Sequence, residues 1–338
     1  MTSSSESLRV CVLGAGDMGV RHLRGWQNSG CEVVAVVDGI PERLQEAGEK
    51  YGVKGLYSDY ENAIRETKPA VVSVCLPTSF HTHAAIFALE HGAHVLCEKP
   101  VALTVEEAEL MKATAQRKGL VLAIGFMLRY SPAIDRLKHW ISEGYIGRPI
   151  MVTSENIMEV RPKLVMHAKN INGGPVIDFW CHHFDLWSYL FESEPESLGG
   201  YGAIFGADKL AGENLGELAI DTAAVNIKYR SGDIAQFSTS WGLPIVFKTH
   251  HLDRDCFIGP KGYIIGDIRG TLTLITEDGK TDTVSNTGLD WWGHEVNVLA
   301  DILRGSEQPY IGIDEGIAAL KVSLAALEAI EKSQTIRL

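Results

Sequence analysis

The hydrophobic residues of the first 124 positions form short apolar runs that alternate with amphipathic stretches. Runs rich in β-branched residues predict strands at 8–13, 32–37, 70–76, 95–97 and 120–124. Apolar positions at helical spacing predict helices near 18–28, 41–51, 60–67, 81–91 and 104–118. Thr104 and Glu107 form a capping-box pattern at the start of the last helix. Strictly alternating strands and helices are typical of a parallel, doubly wound sheet in an α/β protein.

The pattern changes after about residue 130, where a short helix near 137–143 is followed mostly by strands. Segments rich in β-branched and aromatic residues predict strands at 149–160, 221–229, 233–241, 249–258, 262–266 and 270–276. Turns at 231–233 and 278–280 have hairpin spacing, which favours a large, open, mostly antiparallel sheet. Helices near 291–304 and 314–332 follow, and the pattern leaves open on which domain they pack. We therefore predict two domains, residues 1–124 and 125–338.

A glycine-rich turn joins the first predicted strand to the first helix. Gly14, Gly16 and Gly19 have the spacing Gly-x-Gly-x-x-Gly, and Asp38 ends the second strand. In a Rossmann domain such glycines allow a tight turn, close approach of the backbone to a pyrophosphate, and close helix packing. The acidic residue accepts from ribose hydroxyls and repels a 2′-phosphate, which favours NAD over NADP. We expect the cofactor to contact Gly14, Gly16, Asp17, Met18, Gly19 and Asp38.

Polar residues also follow the third and fourth long strands of this domain. Pro77 and Thr78 come after one strand, and Glu98, Lys99 and Pro100 come after the next. Ligands lie beyond the carboxyl ends of strands in a doubly wound sheet, so Pro77 and Thr78 are expected at the nicotinamide. An ammonium group at the same edge would stabilise a developing alkoxide. Taken alone, however, Lys99 is interpreted as a surface residue before a turn.

A third group of polar residues lies in the second domain. Asp178, His182 and Asp185 follow Gly-Gly-Pro at 173–175 and fall at positions i, i+4 and i+7. On one helix these side chains share a face, so that a carboxylate lies beside an imidazole, as general acid–base catalysis requires. In isolation the same spacing is equally compatible with a structural His–Asp contact.

A zinc site is the competing interpretation of Cys181, His182, His183 and Asp185. Adjacent helical residues project about 100° apart, so the two histidines do not readily share one metal ion. The adjacent histidines at 250–251 fail similarly, because neighbouring strand residues face opposite sides of a sheet. We therefore predict no metal site.

Composition narrows the classes of function. The 338 residues, of which 45% are hydrophobic, suffice for two well-formed cores. The net charge of −12 and the lack of a basic stretch argue against a nucleic-acid partner. No apolar run reaches the ~18 residues expected of a membrane span. Six cysteines without C-x-x-C spacing, and a serine-rich start without a signal-peptide core, favour a cytoplasmic setting.

The order and spacing of the three motifs carry a family resemblance. The glycine turn, Glu98-Lys99-Pro100 and Asp178-x-x-x-His182-x-x-Asp185 together resemble the glucose–fructose oxidoreductase / inositol dehydrogenase / rhizopine catabolism (Gfo/Idh/MocA) family, from Leu8 onward. The resemblance implies a Rossmann domain followed by an α/β domain whose large open sheet is often used for oligomerisation. It also implies NAD or NADP as the cofactor, a sugar or cyclitol alcohol as the substrate, and a homodimer or homotetramer.

The resemblance also assigns roles to individual residues. Lys99, Asp178 and His182 match the family's catalytic positions and are expected at the substrate. Pro100 matches a proline that is often cis, and His81 matches a common histidine after the third strand. We expect His81, Glu98 and Lys99 at the cofactor.

Other residues of the second domain are candidates for the substrate pocket. Trp180 stands where many members carry glycine, and its indole is expected to narrow the pocket or stack on a sugar. Arg129 and Asn156 are expected at the substrate as well. Further candidates, each of them more often structural than ligand-contacting, are Glu155, Lys163, His167, Trp291, Trp292 and His294.

These features together predict an NAD(P)-dependent dehydrogenase that oxidises a secondary alcohol. In this hypothesis His182 takes the hydroxyl proton, Asp178 orients His182, and Lys99 polarises the reacting oxygen. One alternative is an NAD-using lyase or glycosidase that acts by transient oxidation and elimination, without net NADH formation. Another is a non-catalytic regulator that binds the cofactor and turns over nothing, because a fold does not by itself determine a function.

Overall fold

Two compact units make up the chain. The computed structural model describes residues 7–338. The first unit extends to Met127 and also contains Asp290–Ile317, whereas the second contains Leu128–Leu289 and Ala318–Leu338. The first unit is therefore built from two separate stretches of sequence, the second of which includes a terminal helix.

A six-stranded parallel sheet forms the centre of the first unit. Its strands are β1 (Arg9–Leu13), β2 (Glu32–Val37), β3 (Gly55–Tyr57), β4 (Val71–Val74), β5 (His94–Cys97) and β6 (Leu122–Ile124). Their order, β3-β2-β1-β4-β5-β6, is that of a Rossmann sheet. Val10, Val12 and Val71 are fully buried, as expected of strands covered on both faces. The predicted doubly wound sheet is confirmed, and only the three-residue β3 escaped prediction because it has no apolar run.

A nine-stranded sheet forms the centre of the second unit. Its strands are β7 (Met151–Glu159), β8 (Pro195–Ala203), β9 (Thr222–Tyr229), β10 (Ile234–Leu243), β11 (Leu252–Gly259), β12 (Gly262–Gly266), β13 (Thr271–Thr276), β14 (Thr281–Ser285) and β15 (Ile336–Arg337). The strand order is β14-β13-β12-β11-β7-β10-β9-β8-β15. All neighbours are antiparallel except β7 and β10, which confirms the predicted mostly antiparallel sheet. Strands β8 and β14 have few buried residues and lack the apolar runs by which a strand is recognised.

Ten α-helices accompany these sheets in residues 7–338. They are α1 (Asp17–Asn28), α2 (Pro41–Tyr51), α3 (Tyr60–Thr67), α4 (His81–Glu90), α5 (Val105–Lys118), α6 (Pro132–Ser142), α7 (Gly174–Asp178), α8 (Cys181–Phe191), α9 (Trp291–Leu303) and α10 (Ile313–Lys332). Thr104 and Glu107 form the predicted capping box of α5. Helix α6 begins five residues before its predicted start, because Pro132 occupies the first turn, where it needs no amide donor.

Aromatic side chains fill the space between α8 and the second sheet. The ring of Phe237, on β10, contacts those of Trp180 and Phe184 at centroid distances of 4.5 and 5.0 Å. Trp187 stacks on the same ring at 5.9 Å. This packing fixes α8 and the end of α7 against the sheet. None of the helices in residues 7–338 is long and apolar enough to cross a bilayer.

Candidate active site

In the glycine turn after β1, a side chain would clash with the backbone at two of the three glycines, and the third leaves the end of α1 open. Gly14 has a φ of 94°, and a Cβ there would lie 2.6 Å from the carbonyl oxygen of Cys75. A Cβ on Gly19 would lie 1.7 Å from the carbonyl oxygen of Gly14. Gly16 differs, because its Cβ would approach only the end of the Arg43 side chain, at 3.8 Å. Gly16 is the N-cap of α1 and provides no side-chain cap, so this open end of the helix fits a pyrophosphate.

Asp38, at the end of β2, organises the same turn. One carboxylate oxygen accepts from the backbone N–H of Ala15 at 2.7 Å, and the other accepts from that of Ile40 at 2.9 Å. Arg43, in α2, approaches the carboxylate at 3.5 Å. The sequence placed this arginine inside the next helix without indicating that it reaches Asp38. Asp38, which is expected to accept hydrogen bonds from the ribose, thus lies beside the basic side chain of Arg43.

Glu98 belongs to a buried polar network at the end of β5. Its Oε1 lies 3.0 Å from His22 Nε2, in α1, and its Oε2 accepts from the backbone N–H of Lys99 at 3.2 Å. Burial by itself raises the pKa of Glu98, but the hydrogen bond from His22 and nearby positive charge hold it below its ordinary value. The structure therefore places the Glu98 carboxylate inside the domain, against α1. Each carboxylate oxygen therefore has a partner within the protein, and the expected contact of Glu98 with the cofactor stays a prediction.

His81 lies beneath the two loops that follow β4 and β5. Its Nδ1 is 2.9 Å from the carbonyl oxygen of Pro100, and its Nε2 is 2.8 Å from that of Leu76. Burial lowers the pKa of His81, while the two carbonyl oxygens oppose this effect. The Lys99–Pro100 peptide bond is cis, and Thr78, which is buried, begins a 3₁₀ turn after Pro77. His81 thus links the loop after β4 to the loop after β5, and its expected place at the cofactor stays a prediction.

The segment that carries Asp178 and His182 is two short helices rather than one. The backbone N–H groups of Phe179 and Trp180 both bond to the carbonyl oxygen of Pro175, and α8 begins only at Cys181. The prediction of one continuous helical face was wrong in this respect, since Asp178 is the last residue of α7. Asp178 and His182 are both buried, on either side of the break.

Arg129 and Asp185 are joined by an ion pair within the second unit. Arg129 Nε donates to Asp185 Oδ2 at 2.8 Å, and a second hydrogen bond runs parallel to it. The guanidinium also lies over the ring of Tyr189, 4.5 Å from its centroid. Arg129 therefore fixes the segment entering the second unit to α8. Its predicted contact with substrate is not tested by this arrangement.

The two other predicted substrate residues occupy different environments. Trp180 is buried, and its ring lies 4.5 Å from both His183 and Phe237, so it belongs to the aromatic core beneath α8. The expected contact of its indole with the substrate stays a prediction. Asn156, on β7, accepts from Trp241 Nε1 at 3.1 Å and donates to Asp253.

Several lower-ranked candidates have structural partners. Glu155 pairs with Arg254 on the exposed face of the sheet, and His167 accepts from the backbone N–H of Arg161 at 2.9 Å. Arg21 lies over the ring of Trp292, at 4.0 Å. Within residues 7–338 no group of three His, Cys, Asp or Glu side chains is arranged to hold a metal ion.

Comparison with known protein families finds a match for each half of the chain. Residues 8–126 match "Oxidoreductase family, NAD-binding Rossmann fold", and residues 138–338 match "Oxidoreductase family, C-terminal alpha/beta domain". The chain belongs to the Gfo/Idh/MocA family. It is therefore an oxidoreductase of an NAD-binding family, as the three motifs predicted.

Similarity to individual Gfo/Idh/MocA proteins extends over nearly the whole chain. D-glucoside 3-dehydrogenase of Escherichia coli is 30% identical over 338 residues, which cover 94% of this chain and 95% of the relative. Myo-inositol 2-dehydrogenase of Thermotoga maritima is 25% identical over 340 residues, with 98% of each chain covered. The crystal structure of aldose-aldose oxidoreductase from Caulobacter crescentus superposes with a TM-score of 0.85 at 23% identity, covering 98% and 100% of the two chains.

Two buried residues of this Gfo/Idh/MocA chain escaped the sequence analysis. His22 stands three positions after the last glycine of the turn, and only its contact with Glu98 shows its importance. Glu295, in α9, is buried, and neither of its carboxyl oxygens has a hydrogen-bond partner within residues 7–338. Burial and the nearby charge of Glu98 raise its pKa well above the ordinary value. A glutamate in an amphipathic helix gives no signal of burial when read from sequence alone.

Proposed function

We propose that this protein is an NAD-dependent dehydrogenase that oxidises a secondary alcohol of a cyclitol, a sugar or a sugar derivative. The observation that carries the proposal is the presence of Lys99, Asp178 and His182 in a family member that matches nearly the whole length of relatives named as acting on inositol and glucosides. A member that had lost catalysis would not need to retain all three residues.

The cofactor site supports the nucleotide part of this proposal. The open N-terminus of α1 at Gly16 would receive the pyrophosphate, and the Asp38 carboxylate would receive the adenosine ribose. Backbone N–H groups of Asp17 and Met18 belong to the first turn of α1, where they face an anion favourably. Pro77 and Thr78 follow β4 at the edge where the nicotinamide is expected.

The catalytic residues divide the chemistry between proton transfer and charge stabilisation. His182 accepts the proton of the substrate hydroxyl, and Asp178 holds the imidazole in the tautomer that can accept it. The ammonium group of Lys99 donates to the reacting oxygen and stabilises its developing negative charge. NAD, when bound, supplies the hydride acceptor at nicotinamide C4. The protein contributes orientation and electrostatics, and the proposal involves no metal ion.

A substrate screen tests this function directly. Purified protein is mixed with NAD or NADP and a panel of inositols, aldoses and glycosides, and the absorbance of reduced nicotinamide is followed. We expect NADH to form in stoichiometry with oxidised substrate, and His182→Ala to abolish the signal. Turnover without net NADH would favour a lyase or glycosidase. NAD binding without turnover on the whole panel would favour a regulator.

We further propose that the protein assembles as a homodimer or homotetramer through the open face of the second sheet. Ile234, Met151, Ile258 and Tyr263 are directly paired neighbours on four adjacent strands, β10, β7, β11 and β12. All four side chains are exposed and form an apolar row across the sheet. A contiguous apolar row of this kind is typical of an interaction surface.

A further inference from the structure

The position of Lys99 depends on the residues that flank it. In the proposed mechanism its ammonium group must meet a single oxygen atom, and a displacement of about 1 Å can cost about a hundred-fold in rate. Lysine side chains are long and flexible, so the backbone that carries them must be well fixed. Both neighbours of Lys99 are held by buried histidines, as described for Glu98 and His81.

In the hydrogen bonds around His22, the chemistry of the partners indicates which group donates and which accepts. Trp26 Nε1 donates to Ser73 Oγ at 2.8 Å, because an indole nitrogen can only donate. The Ser73 hydroxyl, 3.1 Å from His22 Nδ1, is then free to give its proton to that nitrogen. Because a carboxylate can only accept, His22 Nε2 carries a proton and donates to Glu98 Oε1, at 3.0 Å. Trp26, Ser73 and His22 thus form a series of hydrogen bonds that ends at the Glu98 carboxylate.

Glu98 in turn restrains the backbone of Lys99 through a hydrogen bond. With Oε1 held by His22, Oε2 accepts from the backbone N–H of Lys99 at 3.2 Å. On the other flank, the carbonyl oxygen of Pro100 lies 2.9 Å from His81 Nδ1. We propose that Glu98 is a positioning residue that fixes the Lys99 backbone for catalysis, and that His22 fixes Glu98. This inference rests on the proposed role of Lys99.

Glutamine at position 98 removes this arrangement with little change in volume. A carboxylate offers an acceptor oxygen to each of the two donors, whereas an amide offers one oxygen and one NH₂ group. In Glu98→Gln, the Lys99 N–H therefore either loses its acceptor or bonds to a side chain that His22 no longer holds. Glu295 provides the matched control, because its carboxyl is buried in the same unit and neither of its oxygens has a hydrogen-bond partner within residues 7–338. Glu295→Gln makes the same change of side chain where no hydrogen bond is lost.

Amide hydrogen exchange tests the inference without any substrate. Exchange is followed by mass spectrometry in peptides that resolve the Lys99 amide, which is simplified because Pro100 has no N–H. We expect exchange at Lys99 to be about ten-fold faster in Glu98→Gln, the size expected for loss of one hydrogen bond to a charged group. Glu295→Gln should exchange like the unmodified protein. Equal rates at Lys99 in Glu98→Gln and the unmodified protein would overturn the inference.

Kinetics test whether the position matters for the reaction. On any substrate found in the screen, kcat of Glu98→Gln should fall about ten- to hundred-fold, while the Kd of NAD stays within about two-fold. Weaker NAD binding with unchanged kcat at saturating NAD would instead make Glu98 a cofactor residue and refute our assignment. If no substrate is turned over, the proposed function fails, but the exchange experiment still decides the role of Glu98.

A second pair of variants covers the case in which Glu98→Gln does not fold. His22→Gln keeps an N–H donor for Glu98, whereas His22→Leu removes it and leaves the buried Oε1 of Glu98 without its donor. We expect Lys99 exchange and kcat in His22→Gln to lie nearer those of the unmodified protein than in His22→Leu. The same loss in both variants, with unchanged melting temperature, would contradict the proposed action of His22 through Glu98.

Discussion

Replacement of Asp38 by serine should weaken the preference for NAD over NADP. A 2′-phosphate would lie close to the Asp38 carboxylate, which is already held by the N–H groups of Ala15 and Ile40 and cannot easily turn away. Two unit charges about 4 Å apart repel by about 4 kcal/mol near a protein surface. Arg43, 3.5 Å from the carboxylate, offsets part of this repulsion. We therefore expect a NAD preference of at least about ten-fold, or about 1.4 kcal/mol.

The two neighbouring charges can be separated by paired variants. Asp38→Ser should bring the two kcat/KM values close together and should also lower kcat/KM for NAD, because Ala15 and Ile40 lose their acceptors. Arg43→Ala, the matched control, removes the offsetting cation and should increase the NAD preference. The assay is initial-rate absorbance with each cofactor varied at fixed substrate. Equal kcat/KM for NAD and NADP in the unmodified protein would refute this reasoning, as would a lower NAD preference in Arg43→Ala.

Other perturbations test the chemistry, the stability and the assembly. Lys99→Met and His182→Ala should each lower kcat at least about 100-fold with NAD affinity unchanged by calorimetry; near-normal kcat in His182→Ala would mean that another group is the base. Burial raises the pKa of Asp255 to about 7, so the native state keeps a proton that the unfolded chain releases. Stability should fall as pH rises from about 4 to 7, and Asp255→Asn should flatten this dependence in thermal melts; an unchanged slope would contradict it. Light scattering should show an oligomer that Ile234→Asp dissociates, and a monomeric unmodified protein would reject the interface.

Local patterns made the first sheet and its cofactor turn predictable. Strand β1, the glycine turn at Gly14 and helix α1 follow one another directly in sequence, so one short stretch of residues predicts all three. The capping box of Thr104 and Glu107 is local in the same way. The buried network was not predictable, because Ser73, His22 and Glu98 are far apart in sequence and meet only once β4 and β5 are paired. Contacts of this kind depend on topology, about which hydrophobic periodicity carries no information.

The break between α7 and α8 shows a second limit of sequence reasoning. Gly173 and Gly174 both adopt positive φ, at 80° and 71°, so the chain enters α7 by a turn that periodicity does not reveal. Two N–H groups then share the carbonyl of Pro175, which interrupts the helix before Cys181. The sequence identified Asp178 and His182 as candidates, but it did not predict that they lie on two different helices.

The divided first unit has a consequence for how the protein is made. Val296, Leu299 and Ala300 of α9 belong to the same hydrophobic cluster as Leu23 and Trp26 of α1, and Gly25 leaves room for Val296. During synthesis the ribosome must therefore produce almost the entire polypeptide before the nucleotide-binding half can close its core. Until α9 emerges, the apolar side of α1 is exposed to water and to chaperones. A fragment that stops at Met127 would carry the complete parallel sheet and still lack one wall of its hydrophobic interior.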